Sequence, residues 1–375
     1  MSYPALNQDM ILEIFSYCPA STIAKFRFLN KDYYKRMSES SFVNLNLLRT
    51  NSIFGVFLQY QSYPSNFNSS FVLAGDGEVS LDFLPMEKVK IEACDPSQGI
   101  LLCVVSVCYG KKLYLVCKPT TRQYRTIPTP ETGYWTDLHF RAILSGLIVI
   151  RTNPLRYKIV KLSTKFKISS SEKDHGYTLI CEVFDSDSFA WKRLDDVKLP
   201  KGEFLTISSV PVSNNRFLHW LTTSKKNVFR FGMETERWSL LSLPNDVDSS
   251  DRIILANHEG KLGIIVWERK NGEYFTGTWV LDGHFGKSWV NVKEEKSIVE
   301  KGNLVKTLWF PRSNDVVMIG GFDWIGLYDV KTNRMKSERF KVTLPCSFGS
   351  CCSVAYFPFY SDHDRLDFNE DDVKP

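Results

Sequence analysis

No apolar run in the 375 residues approaches the ~18 needed for a membrane-crossing helix. The longest such stretches, 100–107 and 142–150, have the length of strands. The first seven positions, Met1 to Asn7, carry neither a basic patch nor an apolar core, so no secretory leader is expected. Charge of one sign is also scarce. Lys and Arg number 47 against 42 Asp and Glu, a net +5 spread along the chain. Binding to nucleic acid or to a membrane surface would need a basic stripe, and neither partner is expected. Paired Cys motifs are missing too. The nine Cys are odd in number, and Cys103, Cys108, Cys117 and Cys181 sit inside apolar runs, as buried thiols of a reduced intracellular protein do. Cys346, Cys351 and Cys352 have only His363 nearby and lack the paired spacing of a structural zinc site.

Catalytic signatures are equally thin. The six His stand in no constellation with Ser or Cys, and there is no G-x-S-x-G nucleophile turn. His219, inside 217–221, reads as a core or turn histidine. Asp185 with Asp187, and Asp195 with Asp196, fall in turn segments where Asp caps backbone groups. Gly75 and Gly77, and Gly320 with Gly321, precede no helical pattern that could cradle a phosphate. No metal and no cofactor is called for.

What is present divides into two periods. In residues 6–48 the apolar positions step by three or four: Met10, Ile14 and Cys18, then Ile11 and Phe15. Asn7 is placed to cap that helix, and Pro19 to end it. A second helix, capped by Ser21 or Thr22, would carry Ile23, Phe26, Leu29, Tyr33 and Met37 inward and Lys25, Arg27, Lys31, Lys35 and Arg36 outward. A unit of this size has too little core to satisfy two wide apolar faces, so it should dock on something else.

From Phe54 onward short runs rich in Val, Ile, Phe, Tyr and Trp alternate with turn residues, which is the all-β signal. Segments 113–124, 181–191, 228–238, 278–289 and 325–335 share one pattern: an apolar strand, a polar turn, a Thr, Ser or Gly, and a large apolar residue three positions later. Those last residues are Tyr124, Trp191, Trp238, Trp289 and Met335, at intervals of 67, 47, 51 and 46 residues. A hairpin returning every ~40–50 residues marks propeller blades of four strands. The longest interval predicts an insertion, placed at 161–176. An earlier blade in 54–85 and a closing strand near 353–357 bring the expected count to about six, with seven as the alternative. Residues 361–375 are acidic and polar and read as a flexible tail.

Residues 6–19, 20–31 and 41–43 resemble an F-box. Leu6, Asp9, Glu13, Ile14, Pro19, Phe26, Arg27 and Lys31 stand where that motif expects them, while Asn7, Cys18 and Tyr33 replace the usual Pro, Leu and Trp. Residues 114–124, 217–221 and 234–244 resemble the F-box-associated, kelch-like propeller of plant F-box proteins. The expected organisation is thus a helical F-box over 1–48, an all-β propeller over 54–360 and the tail. The resemblance implies a non-catalytic substrate receptor of an SCF (Skp–cullin–F-box) ubiquitin ligase in the cytoplasm and/or nucleus. Leu6, Met10, Ile14 and Pro19 would contact the Skp adaptor, and through it a cullin, while the propeller loops would hold a target protein. Two alternatives are a scaffold whose F-box no longer couples to a ligase, and a propeller enzyme.

Overall fold

The computed structural model describes residues 7–18, 22–23, 26, 31–38, 42, 45–46, 49–50, 53–62, 66–73, 79–86, 89–106, 112–131, 140–152, 154–165, 178–205, 210–214, 217–247, 252–258, 261–270, 273–282, 288–296, 306–309, 316–320, 324–329, 334–335, 340–341, 351–363 and 365–368. Helix α1 spans Gln8–Phe15 and helix α2 spans Lys31–Ser38. Asn7, in extended conformation, caps α1 by accepting a bond from the Asp9 N–H at 3.4 Å, as its side chain predicts. Leu12 turns inward against Ile23, Met37 and Phe42. Phe15 stacks on Phe26 at 4.6 Å and meets Tyr33 edge-on at 5.7 Å.

Five antiparallel sheets follow, each built from consecutive strands. The first comprises Val89–Asp95, Ile100–Ser106, Lys112–Lys118 and Gln123–Ile127. The second runs from Phe140–Thr152 through Leu155–Lys165 and Thr178–Asp185 to an outer strand broken into Ala190–Arg193 and Val197–Lys198. The third lies between 212 and 242, the fourth between 252 and 296, and the fifth between 306 and 341. A sixth sheet is different: Ile53–Ser62 pairs with Asn66–Leu73 on one edge and with Cys351–Ser361 on the other. It joins the two ends of the β region.

That last sheet corrects the expected count. Among the described residues there are five blades of full width, one fewer than six. The reason is that the expected first blade over 54–85 supplies only two strands among the described residues, which with the closing strand make a sheet of three rather than four. The hairpin repeat itself is present in all five blades as the third and fourth strands. Tyr124 pairs with Cys117, Trp191 with Phe184, Trp238 with Phe231, Trp289 with Leu281, and Met335 with Tyr328. Residues 161–165 belong to a strand rather than to an insertion, and Lys161 is buried. The rest of the proposed insertion, 166–176, lies outside the described residues.

Successive sheets bury their faces against each other. Phe57, Phe357 and Phe359 of the closing sheet share a core with Ile91, Leu101 and Leu115 of the first blade. Leu102 and Val116 of that blade meet Tyr157, Ile159 and Phe184 of the second. Leu144, Val160 and Val183 meet Leu218, Trp220 and Phe231 of the third, and Val228 meets Ile253 and Ile264 of the fourth. Gly146 sits at one of these contacts, where a Cβ would lie 2.4 Å from Leu218. Gly99, at φ +62°, turns the first hairpin of the first blade and leaves no room for a Cβ beside Ser361.

The expected flexible tail is corrected over its first residues. Asp362 is buried against Lys118 and forms an ion pair with it, and Thr120 Oγ1 donates to the Asp362 carbonyl at 2.7 Å. Gln123 bonds both the N–H and the carbonyl of Leu366, and Leu366 and Phe368 are buried with Tyr157 and Phe184. Two apolar residues among acidic ones suffice to anchor this segment between the first and second blades.

Candidate adaptor-docking face and its anchorage

Helix α1 sorts its residues by face. With Leu12 and Phe15 turned inward, positions 10 and 14, four apart, must share the opposite side. Met10 is 55% exposed, Ile14 52%, and Tyr17 in the turn beyond the helix 60%. Large apolar side chains held this far out of a core are the mark of a surface meant to be covered. Of the four residues expected to contact an adaptor, Met10 and Ile14 come together on this face. Leu6 and Pro19 lie outside the described residues. Tyr17 was not anticipated, although its spacing of three from Ile14 and seven from Met10 is the signal that places it beside them. Cys18, assigned by period to the Met10–Ile14 stripe, instead packs with Leu12 and Ile23, and burial pushes its thiol up.

Charged residues frame the face. Arg49 pairs with Glu13 at 2.7 Å and lies over the Tyr17 ring at 4.4 Å, and Arg36 pairs with Asp9. The face is also tied to the β region. The Asn46 side chain donates to the carbonyls of Ser16 at 2.8 Å and Cys18 at 3.0 Å, which end α1, and accepts from Tyr360 Oη at 2.9 Å. Both Asn46 and Tyr360 are buried, so this chain of bonds holds the end of α1 on the closing sheet.

The polar groups within the blades have structural work. His219 is buried in a strand of the third blade with its Nδ1 3.1 Å from the Val212 carbonyl. Burial lowers its pKa to about 3, helped by Arg230 and opposed by the Val212 bond. Lys161 of the second blade donates to Tyr114 Oη of the first at 2.6 Å, and burial lowers its pKa to about 8 against the pull of Glu92 and Glu182. Burial also pushes Glu92 up, but Lys90, Lys161 and Ser145 outweigh it and hold the carboxyl low. Asp95 accepts from Ser97, Gln98 and, across the blade boundary, the Val149 N–H at 2.8 Å. Asp187 donates its N–H to Asp185 in a turn, as read from sequence. Among the described residues no group of three or more His, Cys, Asp or Glu is placed to hold a metal ion, and no helix is long and apolar enough to cross a membrane.

Radially packed four-stranded sheets closed by pairing of the two ends define a β-propeller. The F-box associated beta propeller domain matches residues 51–319, and the chain belongs to that family. Its relatives place it among plant F-box proteins. The F-box protein At5g41720 of Arabidopsis thaliana is 46% identical over 167 residues, 42% of this chain and 86% of that one. The F-box protein At5g49610 of the same plant is 29% identical over 287 residues, 72% of this chain and 76% of that one. A third, the putative F-box protein At3g17265, is 24% identical over 298 residues, 78% of each chain.

Proposed function

We propose that this chain is the substrate-recognition subunit of an SCF-type ubiquitin ligase, acting in the cytoplasm and/or nucleus. Residues 1–48 form the F-box and dock on a Skp adaptor, which connects them to a cullin. The propeller, 54–360, holds a target protein, and the chain performs no chemistry itself. Its contribution is to raise the local concentration of target lysines near a recruited ubiquitin-charged enzyme. The observation that carries the reading is the outward face of Met10, Ile14 and Tyr17 on a helix bonded to a propeller of this family.

The departures from the F-box pattern are accommodated, which favours this reading over an uncoupled scaffold. Asn7 caps the helix in place of a proline, Cys18 keeps a place in the small core, and Tyr33 packs on Phe15. Co-purification of the full chain with a Skp adaptor tests it. Wild type should bind, and Ile14→Asp should lose binding at least tenfold with an unchanged melting temperature, because Ile14 supports no core. No binding by the wild type would leave the propeller as a scaffold without a ligase.

A further inference from the structure

A cavity lies where turns of the second blade meet the C-terminal segment. Arg151, Pro154 and Leu155 at one end of the second blade, the turn at Ser186 and Asp187, Arg125 on the outer strand of the first blade, and Asp367 with Phe368 enclose a cavity of about 180 Å³. Tyr157 forms its floor and is 1% exposed. Its ring packs against Phe184 at 5.8 Å, and its backbone is held by Ser186 on both sides, through bonds of 2.9 and 3.1 Å. The Tyr157 hydroxyl has no hydrogen-bond partner. A buried phenol normally finds one, because leaving a donor unmet costs about 1–3 kcal/mol.

The charges around that hydroxyl favour an anion. Arg125 is held with its guanidinium 4.0 Å from the centre of the Phe189 ring, and Arg151 is fixed by its Nε bond to the Pro154 carbonyl at 3.2 Å. Of the two carboxylates in the lining, Asp187 is occupied by Arg156 at 2.8 Å, and Asp367 is exposed at the rim. Two guanidiniums and one unmet O–H donor therefore converge on a space with a single uncommitted carboxylate.

We infer that this pocket binds an oxyanion, a phosphate or a carboxylate presented by a peptide segment of a protein, with Arg125 and Arg151 supplying charge and the Tyr157 hydroxyl a hydrogen bond. Guanidinium forks match the planar or tetrahedral oxygens of such groups. That the segment belongs to a ubiquitination target rests on the receptor reading, but the pocket's chemistry does not, and its test involves no adaptor.

The test is calorimetric titration of the full chain with three short peptides in which phosphoserine, glutamate or serine is flanked by glycines. The phosphoserine or the glutamate peptide should bind at least tenfold more tightly than the serine peptide, and the one that does identifies the source of the oxyanion. Arg151→Ala should weaken that binding at least tenfold and Tyr157→Phe at least threefold. Arg151 is exposed and the Tyr157 oxygen has no partner to lose, so both variants should melt as the wild type does. Equal affinity for all three peptides, or binding that either variant leaves untouched, would overturn the inference.

Discussion

Single residues in this protein are governed by what surrounds them more than by what they are. Histidine titrates near neutrality in an unfolded chain, yet His219 stays neutral in the fold down to about pH 3. Because the folded pKa is the lower one, acid favours the unfolded chain. The stability tied to His219 is fully present above about pH 6.5 and drains away as pH falls below it, by about 2 kcal/mol at pH 5. Urea midpoints at pH 7 and pH 5 should show this fall, and His219→Leu should reduce it. The turns carry a different residue-scale strain. Arg122, Phe189 and Glu236 occupy the same place, one residue before the returning outer strand, and all have φ near +50°. Glu236 repays its strain by bridging Lys158 at 3.1 Å and Lys192 at 2.8 Å in the neighbouring blade. Arg122 makes weaker contacts, an exposed pair with Asp82 at 3.2 Å and a guanidinium 5.6 Å from the centre of the Phe83 ring. Arg122→Gly should therefore stabilise the fold slightly, by under about 1 kcal/mol, whereas Glu236→Gly should not; thermal melts of the two variants make the comparison.

At the scale of the element, the recurring hairpin is both the most legible feature and the device that joins blades. Trp191 is the second residue of an outer strand of the second blade and donates from Nε1 to the Pro128 carbonyl, just past the outer strand of the first. Trp289 of the fourth blade does the same to Ser242, the last residue of the third blade's outer strand. The large apolar residue after each polar turn was readable in the sequence because hairpin geometry imposes its spacing. Its reach backward to the preceding blade follows from the sheets being stacked side by side. Trp191→Phe removes the N–H but keeps an aromatic face, and should cost about 1 kcal/mol. A shift in urea midpoint with an unchanged slope would bear that out. In α1 the period was readable, but the choice of inner and outer residues was not. Cys18 and Tyr17 are adjacent, and only the presence of Ile23 and Met37 beneath the helix decides that the thiol goes in and the ring out.

The whole molecule is held by contacts between residues hundreds of positions apart. Phe57 and Phe359 meet edge-on at 5.2 Å, with Phe71 against both, where the first and last strands of the β region pair. Phe359→Ala removes the centre of that cluster and should cost about 3–5 kcal/mol. If the closing sheet is what makes the blades unfold together, the loss should appear as a single transition at lower denaturant by both fluorescence and circular dichroism. The bond from Tyr360 to Asn46 extends the same closure to α1, so the exposed face of Met10, Ile14 and Tyr17 is held in a set orientation to the closing sheet. The segment 361–368 shows why composition misleads at this scale: its acidic residues suggest a solvated tail, but Asp362 meets Lys118 and Phe368 meets the blade core.

The local and periodic features were set by the sequence itself: a short helical unit with an Asn7 cap, an all-β remainder, a hairpin every forty to seventy residues, and Met10 and Ile14 on one helical face. These depend on spacing along the chain, which backbone geometry converts directly into faces and turns. Only the tertiary structure decided the rest. It merged the expected first blade and closing strand into one sheet, because pairing across about 300 residues depends on loop closure and not on local pattern. It also brought Arg125, Arg151 and Tyr157 around one cavity. They belong to two blades, and no periodicity relates residues whose proximity comes from packing one sheet against the next.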